Sequence, residues 1–131
     1  IHRMAAGTGK RVRETIAGNI STPKTILMKS ARDRDTNVAY NVACNPNVPR
    51  EALTILAERR NMGILVAVVR NKNTPEEALA KLARNNNRNL RLLIAEHENT
   101  SRETLEFLLL KAVKEADQKL AETVRLALAK Q

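Results

Sequence analysis

The stretch TPEEALAKLA at residues 74–83 decides the fold of this chain, because three related stretches occur elsewhere in it. They are TPKTILMKSA at residues 22–31, VPREALTILA at 48–57 and TSRETLEFLL at 100–109. Each stretch starts 26 residues after the one before it. A fixed period of this length is typical of repeat proteins, in which each unit buries its apolar face against its neighbours.

Alignment at this period brings apolar residues into columns that predict the core. These columns are Leu27, Leu53, Leu79 and Leu105; Ala31, Ala57 and Ala83; Val12, Val38, Ile64 and Leu90; and Ile16, Val42, Val68 and Ile94. A polar column holds Asn19, Asn45 and Asn71, with His97 in the fourth place. We expect the Asn side chains to satisfy backbone groups at bends between units.

Each unit is predicted to contain two helical segments. In the unit that begins at Thr74, the hydroxyl of this residue is expected to cap the first helix, with Pro75 at its first position and Glu77 completing a capping box. Thr100 and Glu103 suggest the same start in the last unit. A polar turn then leads to a shorter helical segment that ends at an Asn-rich bend.

The predicted fold is therefore all-α, an elongated and curved α-solenoid in a single domain that covers residues 1–131. We divide it into a partial repeat (1–21), three full repeats (22–47, 48–73 and 74–99) and a terminal repeat with a long C-terminal capping helix (100–131). This helix has a kink predicted near Asp117. Because Ile1 and Ala5 fit the Leu27 and Ala31 columns, we expect missing upstream repeats or end-to-end self-association at the N-terminal end.

Composition and charge restrict the function classes. A single cysteine excludes a disulfide framework and is compatible with the reducing cytoplasm, and no apolar run reaches the length that spans a bilayer. The formal net charge is +9. Residues 1–73 hold 13 Lys and Arg against 5 Asp and Glu, whereas residues 74–131 hold 10 against 9. The basic half suggests an acidic partner or, alternatively, a solubilising surface charge.

The segments VACNPNVPREALTILA (42–57) and VVRNKNTPEEALAKLA (68–83) resemble the variant leucine-rich repeat family over residues 12–109. The resemblance implies a right-handed superhelix, related to HEAT-like repeats, with one layer of α-helices and one of short α- or 3₁₀-helices. Some members carry an iron–sulphur module on a cysteine cluster, but this chain has only Cys44, so no cofactor is expected. The family implies no common enzymatic activity.

No catalytic or metal site is predicted. GTGK at residues 7–10 lacks the first Gly and the Ser or Thr of a phosphate-binding loop. In EHE (96–98), adjacent side chains do not converge on one point of a helix, and His97 replaces a repeat Asn. Cys44 has no His with which it pairs recognisably. Without an acid–base pair or triad we expect a protein that is not an enzyme.

The turns between the two helical segments of each unit carry a basic ridge, which is the candidate binding site. It comprises Lys10, Arg11, Arg13, Arg32, Arg34, Arg59, Arg60, Arg84 and Arg88. The leading functional prediction is a scaffold that presents a concave face to a protein partner. The alternative is duplex nucleic acid bound along the ridge. Asp33 and Asp35 interrupt the ridge, and aromatic platforms for unpaired bases are missing.

Overall fold

The computed structural model describes residues 9–131, which form nine α-helices and contain no β-strand. The all-α class predicted from the sequence is confirmed for these residues. The predictions on residues 1–8, at Ile1, Ala5 and the start of GTGK, lie outside the described residues. The helices are α1 (Lys10–Gly18), α2 (Lys24–Ser30), α3 (Thr36–Cys44), α4 (Arg50–Leu56), α5 (Met62–Arg70), α6 (Glu76–Leu82), α7 (Arg88–Glu96), α8 (Arg102–Lys114) and α9 (Gln118–Ala129).

Contacts arrange the helices in two rows. Each helix of the first row contacts the next one, in the order α1, α3, α5, α7 and α9. In the second row, α2 contacts α4 and α4 contacts α6, and the Thr104 hydroxyl of α8 donates to the Glu76 carboxylate of α6 at 3.3 Å. Every second-row helix also contacts the first-row helix that follows it in the chain. None of the helices within residues 9–131 is long and apolar enough to cross a membrane.

The core is aliphatic, and burial agrees with the apolar columns of the sequence. The fully buried members include Leu27, Leu53, Leu79 and Leu105 from the second row and Val38, Val42, Ile64, Val68, Leu90 and Ile94 from the first row. Burying a side chain of this size contributes about 1.5–3 kcal/mol. In α1, the column members Val12 and Ile16 are only half-buried. The core is therefore less complete at α1 than in the helices that follow it.

The predicted cap at Thr74 is wrong. The second-row helix begins at Glu76, with Pro75 at the N-cap position and no side-chain capping bond. The Thr74 hydroxyl instead donates to the Val68 carbonyl at the end of α5. Thr100 likewise donates to the Ile94 carbonyl at 2.6 Å, and Ser101 caps α8. These hydroxyls close the helix before the bend, because its last carbonyls lack partners inside the helix.

Four further side-chain N-caps lie in the polar turns that precede first-row helices. The carboxylate or amide oxygen of each cap accepts a backbone N–H two or three residues further along the chain, which satisfies a free donor of the first turn. The pairs are Asp35 with Asn37, Asn61 with Ile64, Asn87 with Leu90 and Asp117 with Leu120. The turns thus fix where α3, α5, α7 and α9 begin.

The long C-terminal helix predicted for residues 100–131 is two helices, α8 and α9, which pack against each other. Helix α8 ends because Ala116 adopts a left-handed conformation, with φ of 56°. The Asp117 N–H then donates to the Ala112 carbonyl at 2.8 Å, which is a Schellman closure. The Asp117 side chain starts α9. The change of direction lies where the sequence predicted a kink, but it is a complete break that turns α9 back onto α7 and α8.

Candidate partner-binding surfaces

The structure brings the N-terminal part of the predicted basic ridge together in one network. Arg13 Nε lies 2.9 Å from an oxygen of Asp33, and Lys10 Nζ lies 3.9 Å from an oxygen of Asp35. From the next turn, the Arg59 guanidinium donates to the carbonyls of Ala31 and Asp33 at 3.0 and 2.9 Å. The beginning of α1, the turn 31–35 and the turn 57–61 therefore lie side by side. Arg13 and Arg59 hold these segments together, and Lys10 lies within ion-pair distance of Asp35.

The C-terminal part of the ridge forms a second network around the break between α8 and α9. Arg88 binds both carboxylate oxygens of Asp117, at 2.8 and 3.0 Å. Burial alone would raise the pKa of Asp117, but hydrogen bonds from Arg88 and the Leu120 N–H, with the charges of Arg88 and Arg91, lower it below its ordinary value. The Arg84 guanidinium lies 5.2 Å from the centre of the Phe107 ring. Arg84 and Arg88 are thus also committed to internal contacts.

Arg91 belongs to this second network, and the sequence reasoning missed it. Its side chain is almost completely buried. The guanidinium donates to the Asn85 carbonyl at 2.9 Å, to Glu115 at 2.8 Å and to the Asn86 side chain at 3.2 Å. The sequence offered a signal, because at period 26 Arg91 falls in the same column as the ridge residue Arg13, together with Ala39 and Leu65.

Four ridge residues remain exposed and form neither an ion pair nor a cation–π contact within residues 9–131; we call them the arginine edge. They are Arg11, Arg32, Arg34 and Arg60. The acidic interruptions of the ridge are already used. Asp33 binds Arg13 and also accepts from the Asp35 N–H at 2.9 Å, while Asp35 caps α3. The arginine edge is therefore left with uncompensated positive charge.

Asn45 and Asn71 of the predicted column, and Asn99 two residues after His97, form hydrogen bonds between neighbouring bends. Asn45 is buried, and its amide donates to the Ala17 and Asn19 carbonyls, each at 2.9 Å. The amide of Asn71 donates to the Ala43 carbonyl at 3.1 Å, and that of Asn99 donates to the Lys72 carbonyl at 2.9 Å. Because these amides are used internally, they are not free for recognition.

His97 takes the place of an Asn at one of these bends. Its Nδ1 accepts the Asn99 N–H at 3.0 Å, so Nε2 carries the proton that is donated to the Asn71 carbonyl at 2.9 Å. A cleft of about 500 Å³ between the 96–98 segment and the last turn of α9 includes His97, but both ring nitrogens are occupied. Within residues 9–131 no group of three or more His, Cys, Asp and Glu side chains could hold a metal ion.

The side of the first row that faces away from the second row offers a second surface, which we call the first-row face. Its central positions are Glu14, Tyr40, Val66 and Leu92, one from each of α1, α3, α5 and α7. Tyr40 is 45% exposed, and the other three are half-buried. The neighbouring Cys44 side chain raises the pKa of Tyr40 above its ordinary value. This surface carries less charge than the arginine edge.

Comparison with known proteins adds no functional assignment, since no protein-family model, curated protein sequence or solved structure matches this chain.

Proposed function

We propose that this chain is a non-enzymatic repeat scaffold of the variant leucine-rich repeat kind, a right-handed α-solenoid that binds a protein partner in a reducing compartment such as the cytoplasm. The proposal is supported by helix positions. The first four first-row helices begin at residues 10, 36, 62 and 88, and the second-row helices begin at 24, 50, 76 and 102. Both series advance by 26 residues, which is also the period of the sequence.

Unequal packing of the two rows favours a curved scaffold. Successive first-row helices contact one another more extensively than successive second-row helices do. Small residues in the first row, among them Ala39 and Ala43, are completely buried and permit this close approach. Closer spacing in one row bends the stack toward that row, so we assign the first-row face to the concave side. Concave faces are the usual binding surfaces of solenoids.

The observation that carries the proposal is the contrast between fixed internal contacts and variable exposed positions. Within residues 9–131, every buried polar side-chain atom has a hydrogen-bond partner. The first-row face, in contrast, presents an acid, a phenol and two aliphatic side chains at equivalent positions (Glu14, Tyr40, Val66 and Leu92). A rigid frame with different side chains along one face suits the recognition of a specific protein surface.

The test compares two single substitutions in a reconstituted complex. A partner that co-purifies with the full-length protein is isolated and titrated against Tyr40→Glu and, as the control, Thr54→Glu. Both variants add one negative charge at an exposed helical position, but Thr54 lies on the second row. We expect Tyr40→Glu to weaken binding by at least about tenfold and Thr54→Glu to leave it unchanged. Equal effects, or the absence of a protein partner, would overturn the proposal.

Duplex nucleic acid is the second candidate, and the observation that favours it is the uncompensated charge of the arginine edge. Arg59 holds two turns together, so its substitution would disturb the fold. The variant that tests duplex binding therefore changes Arg32, Arg34 and Arg60 and leaves Arg59 intact. Four phosphate contacts predict a slope of about −4 in a plot of log affinity against log salt. Failure to bind a duplex at low salt would eliminate this candidate.

A further inference from the structure

We propose that the arginine edge binds a short acidic segment of the protein partner, in addition to the contacts made on the first-row face. The inference rests on the proposed scaffold function and names the chemistry of its partner. It concerns Arg11 at the start of α1, Arg32 and Arg34 in the turn 31–35, and Arg60 in the turn 57–61.

Contacts between these segments show that the four arginines come from adjacent parts of the surface. Lys10 and Arg13 of α1 both reach the turn 31–35, and Arg59 reaches the same turn from the other side. Neighbouring packed helices lie about 8–10 Å apart. From α1 through α3 to α5 the edge is therefore about 16–20 Å long, which matches about six residues of an extended peptide.

The charge of the edge selects an anionic ligand. Asp33 and Asp35, the acidic residues within its central turn, have side chains that are only 16% and 19% exposed and are bound to internal donors. The N-termini of α1, α3 and α5 lie along the same edge and add partial positive charge. Carboxylates of a partner can pair with the exposed guanidinium groups in the bidentate geometry that arginine favours.

The extent of the free charge favours a short acidic peptide over a duplex. Beyond Arg60, the ridge residues Arg84 and Arg88 are held by Phe107 and Asp117. At that end Asp117 and Glu115 offset the charges of Arg88 and Arg91. A duplex that followed the ridge would pass beyond the arginine edge after about 20 Å, so it would make only about four phosphate contacts with that edge.

The experiment measures binding of two labelled probes, a short polyglutamate peptide and a short DNA duplex, to the full-length protein at low salt. The edge variant carries Arg32→Gln, Arg34→Gln and Arg60→Gln. Its matched control carries Lys24→Gln, Lys29→Gln and Arg50→Gln. These three second-row residues are also exposed and form no ion pair within residues 9–131. Both variants lose three positive charges, so only position distinguishes them. Circular dichroism and thermal unfolding verify that each variant is folded.

We expect the peptide to bind the wild-type protein, the edge variant to weaken this binding by at least about tenfold, and the control to weaken it by less than about threefold. Absence of peptide binding, or equal losses in both variants, would overturn the inference. Tighter binding of the duplex, lost in the edge variant, would assign the edge to nucleic acid instead.

The two proposals fail separately. With the isolated partner protein, the edge variant is compared with Tyr40→Glu. If Tyr40→Glu abolishes binding and the edge variant retains full affinity, the scaffold proposal stands and the acidic-segment inference fails. If neither variant changes binding, both proposals fail. Loss of affinity in both variants supports a partner that contacts the face and the edge together.

Discussion

At the scale of single residues, side-chain hydrogen bonds to the backbone decide how the bends are built. A Thr that precedes a helix has two kinds of unsatisfied backbone group nearby, the first N–H groups of the next helix and the last carbonyls of the previous one. The bend between α5 and α6 places Thr74 beside the Val68 carbonyl, and its hydroxyl donates there. Local sequence does not reveal this choice, because both helices lie within reach of the same side chain.

Arg59 and Arg60 are neighbours in sequence with different predicted energetic roles. Arg59→Ala removes two charge-assisted bonds to the Ala31 and Asp33 carbonyls, so we expect the free energy of unfolding to fall by about 1–3 kcal/mol. Arg60→Ala, at an exposed position, should change it by less than about 0.5 kcal/mol. Urea unfolding of both variants measures the difference. Equal stabilities would contradict the structural role of Arg59.

His97 is predicted to act as a substitute for Asn. In His97→Asn, the new side-chain oxygen can accept the Asn99 N–H and the amide can donate to the Asn71 carbonyl, as Asn45 does with the Asn47 N–H and the Asn19 carbonyl two units earlier. We expect this variant to unfold within about 0.5 kcal/mol of the wild-type protein and His97→Ala to lose about 1–2 kcal/mol. Chemical denaturation at neutral pH compares them. If His97→Asn and His97→Ala destabilised the protein equally, the prediction that His97 acts as a substitute for Asn would be wrong.

At the scale of elements, the break between α8 and α9 depends on one backbone conformation. Ala116 has a φ of 56°, which costs an L-residue with a side chain about 1–2 kcal/mol and costs Gly much less. Ala116→Gly should therefore raise the free energy of unfolding by about 1 kcal/mol. Ala80→Gly, inside α6, should lower it by a similar amount and serves as the control. If α8 and α9 formed one continuous helix, Ala116→Gly would also be destabilising.

The same break is predicted to respond to acid through Asp117. Its pKa is lower in the folded chain than in the unfolded chain, so its stabilising contribution is complete above the ordinary aspartate pKa of about 4. The contribution is lost as the pH falls through the lower, folded-state pKa. The stability difference between wild type and Asp117→Asn should therefore shrink below about pH 4. Glu122→Gln, which changes an exposed carboxylate of α9, is the control. If the stability difference between wild type and Asp117→Asn stayed constant as the pH fell, Asp117 would not be the source of the acid response.

The core could be predicted from the sequence because apolar residues at the repeat spacing are the residues that become buried. Leu27, Leu53, Leu79 and Leu105 were assigned to the core from spacing alone, and all four are buried. The separation of α8 from α9 could not be predicted, because no Gly or Pro marks it. Ala116 is a good helix former, yet it is left-handed at the point where the chain turns and α9 packs on α7 and α8.

The candidate site was only partly predictable. The sequence places arginines in the turns, but it does not state which of them have partners inside the protein. Arg88 and Asp117 are 29 residues apart and form their pair only because α9 folds back. Burial of Arg91 likewise requires the Glu115 segment beside α7. Pairing across such distances is a property of the assembled rows, so the arginine edge could be defined only in the structure.

At the scale of the whole molecule, two extended rows with few contacts between distant units predict an elongated shape. A compact protein of 131 residues has a radius of gyration of about 14 Å. The rows place α1 and α9 at opposite ends of a series of neighbour contacts, so the mean distance from the centre should exceed that of a sphere. Small-angle X-ray scattering of the monomer should therefore give a radius of gyration clearly above about 14 Å and an asymmetric distance distribution.

Sedimentation equilibrium must establish the monomer first, because an end-to-end dimer would also increase the radius of gyration. A monomer with a radius of about 14 Å would instead indicate a closed bundle, and the concave first-row face would then have no physical basis.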